Sequence, residues 1–476
     1  MALVLSFSMF SFDLMATDGY FSTGQGTRNK GMAGAGIAFL HSPLSGTINP
    51  AGLAFIQKKW SIEISVGLFN PNRKYEIIGA PTTPDNWGYF DASGNFVLDA
   101  RYSAFGLSEG MVESGSNIFI IPAIAFSYKL GENSTIGLNF YGNGGMNTDY
   151  DTKTYYSAII DGFGNPMPDG SPNPMANVTS PTGVNLQQMF LALTYAHKFG
   201  NHSLSLSPIL AYQSIEIKGM QAFRDMGAAG MEGLAVNRSM YVTDNGVSSS
   251  TGYGIKIAYQ GELISGLRVG ASFQPKITMS KFEDYQGLFA EEGGFDIPTN
   301  WQAGFSYDIT EDFTIMADVK QIMYSDAKSI SNPMNPQQIM PMVPNPDMTT
   351  PEDAMMLNPY FVALGDENGA GFGWEDMMIF KVGAEFRQIE NWQFRCGYSY
   401  GKQPIPESEV MFNIIAPAVN ENHISFGFTK MLGDRALNFA ITHALENSVK
   451  GQNPFDPAQE IEITMNQWEF EIGFQF

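Results

Sequence analysis

One cysteine, Cys396, and five histidines are a thin supply of metal and redox chemistry for a chain of 476 residues. A lone thiol excludes an internal disulfide framework and any cysteine-based zinc site. The histidines include no pair at helical metal-ligand spacing, which leaves them as scattered side chains and implies no cofactor from this source. Basic residues are scarce as well: 26 Lys and Arg stand against 48 Asp and Glu, a formal charge of −22. Phosphate binding needs clustered cations, and no basic run occurs, so nucleic acid is not a partner. Long apolar runs are also missing. The longest, ALVLSFSMF (Ala2 to Phe10) and IFIIPAIAF (Ile118 to Phe126), fall well short of the roughly 20 residues that a membrane-crossing helix needs. No nucleotide motif appears, so no direct energy source is expected.

What is present is turn-forming and aromatic: 50 Gly, 26 Pro, 13% aromatic residues and only 16% charged ones, a composition that suits many short strands and reads as all-β. The first apolar run, followed by Leu14-Met15-Ala16, resembles the apolar region and cleavage site of a secretory signal, although a basic leading region is missing. Residues 1–16 are therefore expected to be removed, with the mature chain starting near Thr17.

The last nine residues, WEFEIGFQF, set Trp468, Phe470, Ile472, Phe474 and Phe476 on one face and Glu469, Glu471, Gly473 and Gln475 on the other, because strand side chains alternate. WQAGFSYDI (301–309), NWQFRCGYSYG (391–401), KWSIEISVGL, LRVGASFQP, MMIFKVGAEFRQ and HISFGFTKML repeat that pattern. Each is near the 9–11 residues that a tilted strand uses to cross a bilayer. The minor face decides between a soluble sandwich and a membrane barrel. It carries Gly, Ser, Asn and Gln with single charges such as Glu63, Lys129, Arg268, Lys381, Glu385, Arg395 and Glu471, the composition of a polar lumen rather than of a solvated surface. Trp60, Tyr128, Tyr259, Trp301, Tyr324 and Trp392, near strand ends, fit an interfacial belt.

Such segments number about fourteen, an even count as expected of a bacterial single-chain barrel, and a membrane tolerates only a closed sheet. The expected fold is a transmembrane antiparallel β-barrel over 58–476, with strand fourteen closing against strand one. The connections after strands one, three, five, seven and nine are long (about 70–116, 147–184, 219–250, 278–298 and 325–375) and the others short, which puts the long loops outside the cell and the turns in the periplasm. Residues 17–57 are Gly-rich and do not alternate, and they are best placed as a hatch, or plug, inside the lumen.

Here the chain resembles a known family. Gly-Tyr-Phe-Ser followed by Gly24-x-Gly26, the Gly-Ala-Gly of Gly34 to Gly36, and the box Asn49-Pro50-Ala51-Gly52-Leu53 look like the N-terminal hatch of the FadL/TodX family of outer-membrane transporters for long-chain fatty acids and other hydrophobic compounds. The resemblance covers the whole chain. It implies a plug at Asn49, Pro50 and Ala51, a lateral exit into the membrane at a kink in strand three, and a hydrophobic capture groove between external loops three and four. The final Phe476 resembles the signal by which the barrel assembly machinery recognises its clients. The expected product is a monomeric outer-membrane protein, with the surrounding lipid and a fatty acid or other hydrophobic molecule as partners.

The residues give that route candidate members. Gly142, Gly144 and Gly145 in YGNGG are strand breakers that favour a bulge, although they could instead begin a loop. MSKFEDYQGLFAEEGG sets Phe282, Tyr285 and Phe289 at helical spacing with Leu288 beside them, and loop three offers Phe223, Met226, Met231 and Leu234. Met suits varied apolar ligands because its side chain is adaptable. The competing reading is that these groups only pack the loops together. A fatty-acid carboxylate would want a cation, for which Lys218, Arg268, Lys381 and Arg395 are candidates. If these pair with lumen acids instead, an uncharged aromatic or aliphatic hydrocarbon becomes the better substrate. Gly397-Tyr398-Ser399-Tyr400-Gly401 satisfies G-x-S-x-G, but that motif works at a strand-to-helix elbow and here lies within an alternating strand, so no enzyme is expected. A general porin or an adhesin remains as a further alternative; the hatch argues against the porin.

Overall fold

The computed structural model describes residues 18–39, 42–82, 88–90, 96–98, 105–156, 167, 169–177, 179–345, 347 and 355–476; the expected signal segment 1–16 lies outside them. Among these residues fourteen strands form the barrel. They are β1 (Trp60–Ile78), β2 (Phe119–Lys129), β3 (Ser134–Asp149), β4 (Gly183–Phe199), β5 (His202–Lys218), β6 (Ser248–Ile264) and β7 (Leu267–Gln274), followed by β8 (Asn300–Thr310), β9 (Phe313–Ile322), β10 (Met377–Phe386), β11 (Trp392–Gly401), β12 (Asn422–Leu432), β13 (Arg435–Gln452) and β14 (Glu460–Gln475). Neighbours pair antiparallel in sequence order, and β14 pairs with β1 from Glu63↔Gln475 to Ile78↔Glu460, which closes the sheet. Closure gives nearly every strand edge a partner, the condition for a sheet in hydrocarbon.

The alternation is inverted relative to a soluble protein. On β14 the outward Ile472 is 58% exposed while the inward Glu469 and Glu471 are 6% and 3% exposed. Oil lies outside and the carboxylates lie within. On β1 the outward apolar series Ile64, Val66, Leu68 gives way at Asn70 to Asn70, Asn72, Lys74 and Glu76, while the inward Tyr75 and Ile77 are buried. The chain keeps its period but swaps which face is apolar, because above this level the outside is no longer lipid. The strand expected to end near residue 69 therefore runs to Ile78.

The barrel wall is uneven. β1, β3 to β6, β13 and β14 have 16 to 19 residues, whereas β7 to β12 have 8 to 11. The long connections follow β1, β3, β5, β7 and β9 as expected, and a further long one, residues 402–421, follows β11. Tyr324, expected in the interfacial belt, is instead fully buried in the lumen, where its hydroxyl donates to the Asp18 carbonyl (2.7 Å).

The hatch fills the lumen with a short helix, Thr27–Lys30, and two 3-10 turns, Pro43–Thr47 and Pro50–Phe55. Its box has a local reason. Pro50 starts the turn without needing a donor, and the Asn49 side chain caps it by accepting from Ala51 N (3.1 Å). The Asn49 amide also donates to Ile37 O (2.7 Å) and to Tyr259 O of the wall (3.0 Å), and Ala51 O accepts from the Ser203 hydroxyl (2.8 Å).

The inverted face yields a test. Ile472→Arg, near the middle of the lipid band, should destabilise the barrel by about 2–4 kcal/mol in vesicle-supported urea unfolding. Glu76→Arg, outward-facing above that band, should change it by less than about 1 kcal/mol. Equal effects would contradict the assigned membrane level.

Candidate functional site

β3 carries the main irregularity of the wall. Its register with β4 slips between Gly142↔Met189 and Gly144↔Gln188, so Asn143 has no partner across the ladder and forms a bulge. The strand continues to Asp149, so the glycines kink it rather than start a loop. The ladder between β2 and β3 ends at Ile124↔Phe140. Above that pair β2 keeps β1 as a partner up to Phe69↔Phe119, but its other edge has no strand, and Pro122 lies on that edge, where no donor is needed. Higher still, the short strand Gly110–Glu113 pairs with β1 in the position β2 has vacated, and Gly115 N donates to Asp149 O of β3 (2.8 Å). These elements frame a window: β2 and β3 form its sides, Ile124–Phe140 its sill, and Ser114–Ser116 its lintel.

The hatch borders the window from within. Phe21 bridges Gly144, Gly145 N donates to Tyr20 O (2.9 Å), and Ser22 N donates to Asn143 O (3.1 Å). A Cβ at Gly144 would sit 1.8 Å from Tyr20 O, so glycine is required for this approach. Gln25 adds a bond from its amide to Gly142 O (2.6 Å).

The loop aromatics expected to form a groove are brought together. Phe282, Tyr285, Leu288 and Phe289 are buried around Phe295, with ring centroids of Phe289 and Phe295 5.2 Å apart. Tyr285 ends a 3-10 turn, Glu283–Tyr285, that Phe282 precedes, and Phe289 precedes a short turn at Ala290–Gly293, so the four do not share one helix. Tyr285 orders this loop, accepting from Ile217 N (3.0 Å) and donating to Gly246 O (2.6 Å), and burial pushes its phenol up to about 12. Phe223 and Met226 belong to the same apolar cluster, where Phe223 meets Phe412 (4.9 Å) and Tyr155 (5.0 Å). Met231 is exposed and Leu234 only partly buried, so these two stand apart.

The cluster continues downward. Phe295 lies 6.3 Å from Tyr20, which packs on Tyr324 (5.5 Å) and Trp374 (6.0 Å), and Tyr20 and Phe21 reach the window. The sequence reading missed Phe295, Trp374, Tyr20 and the segment Val410–Ile415. That segment hangs from the upper end of β3 and the residue after it, by Thr148 Oγ1 to Ile415 O (2.7 Å) and Tyr150 Oη to Ile414 O (2.9 Å). An apolar run, VMFNII, within an external loop was the signal available for it.

The expected carboxylate partners are placed otherwise. Lys218 is exposed on the outer face beside Glu216 (3.4 Å). Arg268 sits at the short-turn end, paired with Asp308 (2.6 Å) and stacked over Phe39. Arg395 pairs with Glu385 (2.6 Å) inside the wall. Lys381 and its neighbour Lys320 hold Asp18 of the hatch at 3.0 and 2.8 Å. Burial alone would raise the Asp18 carboxyl, but Lys320 and Lys381 outweigh it and hold the group well below the usual carboxylate range. Lys30 of the hatch likewise lies between Glu469 and Glu471. Ser399 lies within β11, 3.3 Å from His423 Nδ1, on a strand and not at an elbow.

A plugged, closed barrel with an apolar exterior is an outer-membrane protein of the transport type, and comparison with known proteins agrees. Residues 178–462, more than half of the chain, match the model of the outer membrane protein transport protein family (OMPP1/FadL/TodX), and the chain belongs to that family. It is similar in fold to the Pseudomonas putida toluene transporter TodX, with 15% identity over 95% of this chain and 98% of that one and a TM-score of 0.59. A Pseudomonas aeruginosa FadL homologue gives 14% identity, 96% and 99% coverage and a TM-score of 0.61. The Ralstonia pickettii toluene transporter TbuX gives 16%, 95% and 98%, and 0.56. No curated protein sequence matches the chain.

The Asp18 pair can be tested. Asp18→Asn leaves two buried lysines without their carboxylate, a loss of roughly 3 kcal/mol, so amide exchange at Tyr20–Gln25 should quicken by about 10²-fold. In the native protein Asp18 titrates lower folded than unfolded. Its anchoring is therefore complete above its ordinary value, near 4, and is lost only as pH falls far below that. Corrected exchange should match at pH 7 and pH 4.5; faster exchange at 4.5 would count against the pair.

Proposed function

We propose that the protein takes up hydrophobic small molecules, long-chain fatty acids foremost, across the outer membrane. A molecule parts the apolar side chains between external loops three and four, centred on Phe223, Met226, Phe282, Tyr285, Leu288 and Phe289. It then follows the aromatic path past Phe295 and Tyr20 and leaves sideways through the window at the Gly142–Gly145 kink. The observation that carries this reading is the window itself. Unpaired strand edges in a bilayer are costly, and one kept open beside an apolar path is best explained by passage.

Because Lys320, Lys381 and Arg395 already meet carboxylates, an uncharged aromatic or aliphatic hydrocarbon is the second reading. Names of similar proteins point the same way: two are described as toluene transporters.

Deleting Asn143 removes the extra residue of the bulge and lets β3 straighten onto β2. Cells producing this variant should take up radiolabelled oleate and toluene at least about tenfold more slowly than cells with the native protein, at equal amounts of folded barrel. Unchanged uptake of both would sink the lateral route. Slowed toluene uptake, with oleate never transported even by the native protein, would favour hydrocarbons.

A further inference from the structure

The lintel of the window holds a cation that no carboxylate contacts among the described residues, although Asp149 lies near enough to act on it through space. Arg73 faces inward on β1, 3% exposed, and its guanidinium crosses from β1 to β3 beneath Ser114–Ser116. One terminal nitrogen donates to the carbonyl of Asn147, the other to the carbonyl of Ser116 and to the Ser114 hydroxyl (3.3 Å). Among the described residues Nε is buried without a hydrogen-bond partner. By contrast Lys30, Lys320, Lys381, Arg268, Arg387 and Arg395 each reach an acid. A buried guanidinium whose direct partners are neutral oxygens bears a large desolvation cost, and its Nε–H remains as a charged donor that a carboxylate can accept from.

Its surroundings suit the rest of an amphiphile. The Phe119 ring lies 5.6 Å from the guanidinium carbon, and Phe69 and Ile121 pack beside Phe119 on the β2 side of the window. The level is also right. Ile120 of β2 and Ile118 just before it are 56% and 66% exposed, as lipid-facing groups are, and on β1 the outward apolar series stops at Leu68. Arg73 is five residues further along β1, roughly 17 Å of strand and less in height because barrel strands tilt. The guanidinium therefore sits at headgroup level, over the gap where β2 and β3 part.

We infer that Arg73 is a headgroup station for a single-chain carboxylate leaving through the window: the guanidinium holds the carboxylate at the interface while the chain passes over Phe119 and Ile121 into the lipid. The charge then never enters hydrocarbon, the step that would otherwise cost most. This rests on the lateral route proposed above and selects ionised amphiphiles over hydrocarbons at the exit.

The test compares oleate with oleyl alcohol, which has the same chain without the carboxylate, in cells producing native protein, Arg73→Gln or the Asn143 deletion. Reading the oleate-to-alcohol uptake ratio cancels differences in the amount of folded barrel. Arg73→Gln should lower oleate uptake about tenfold and leave the alcohol within about twofold. Equal loss of both would make Arg73 only a brace for the lintel, and no loss of oleate would remove it from the route; either result overturns the inference. If the Asn143 deletion leaves both ligands unaffected, the window reading fails and this inference falls with it, whereas a blocked deletion with an unchanged Arg73→Gln ratio refutes Arg73 alone. Should Arg73→Gln not reach the membrane, Arg73→His serves. Relative to native protein its ratio should be near normal at pH 5.5, where imidazole is charged, and reduced at pH 8; a ratio that does not move with pH overturns the inference.

Discussion

Hydrocarbon offers no hydrogen bonds, and every feature of this molecule answers to that fact. A strand in the bilayer must find partners on both edges, so fourteen of them close on one another and the chain's last strand returns to its first. Where β2 and β3 part above Ile124 and Phe140 the rule is relaxed, and the structure compensates locally. Pro122 has no donor to leave unpaired on one side, and on the other the hatch backbone at Tyr20–Ser22 takes up the bonds of Asn143 and Gly145. The hatch is thus both the stopper of the lumen and the missing neighbour of a strand.

Charge holds that stopper in place. Asp18 is gripped by two wall lysines, Lys30 by two wall glutamates, and Asp318 of the wall accepts from Gly36 N (2.7 Å) and Ile37 N (2.9 Å). Such contacts are directional and few, unlike the broad apolar packing above them.

Period-2 alternation made the barrel legible in the sequence, because the bilayer imposes one environment on a long row of side chains. The same logic explains where reading stopped. Beyond Leu68 the outward face turns polar, and Asn70, Pro71 and Asn72 read as a loop although the strand continues. Tyr324 looked interfacial because its position follows a strand end, yet Asp18, 306 residues away in sequence, draws it inward. The kink was visible as three glycines, but its partner at Tyr20 was not, since pairing between hatch and wall leaves no local period. Lys381 was noticed as a lumen cation and Arg73 was not, because the latter lay in the stretch taken for a loop.

The uneven wall has a consequence of its own. A tilted strand needs about 9–11 residues to cross a bilayer, which β8 to β12 just supply and β7, with 8, falls one short of, whereas β1 with 19 and β13 with 18 overshoot by some 7–10, or roughly 24–34 Å of strand. The rim is therefore oblique, a parapet on the side that bears the window and a low sill opposite, over which the external loops fold. In an outer membrane the layer just above the lipid is hydrated saccharide, poor solvent for anything greasy. The parapet carries an apolar inner face, Tyr75, Ile77, Ile461 and Ile463, buried in the main apolar cluster, so dry packing continues above the level at which the outer face turns polar.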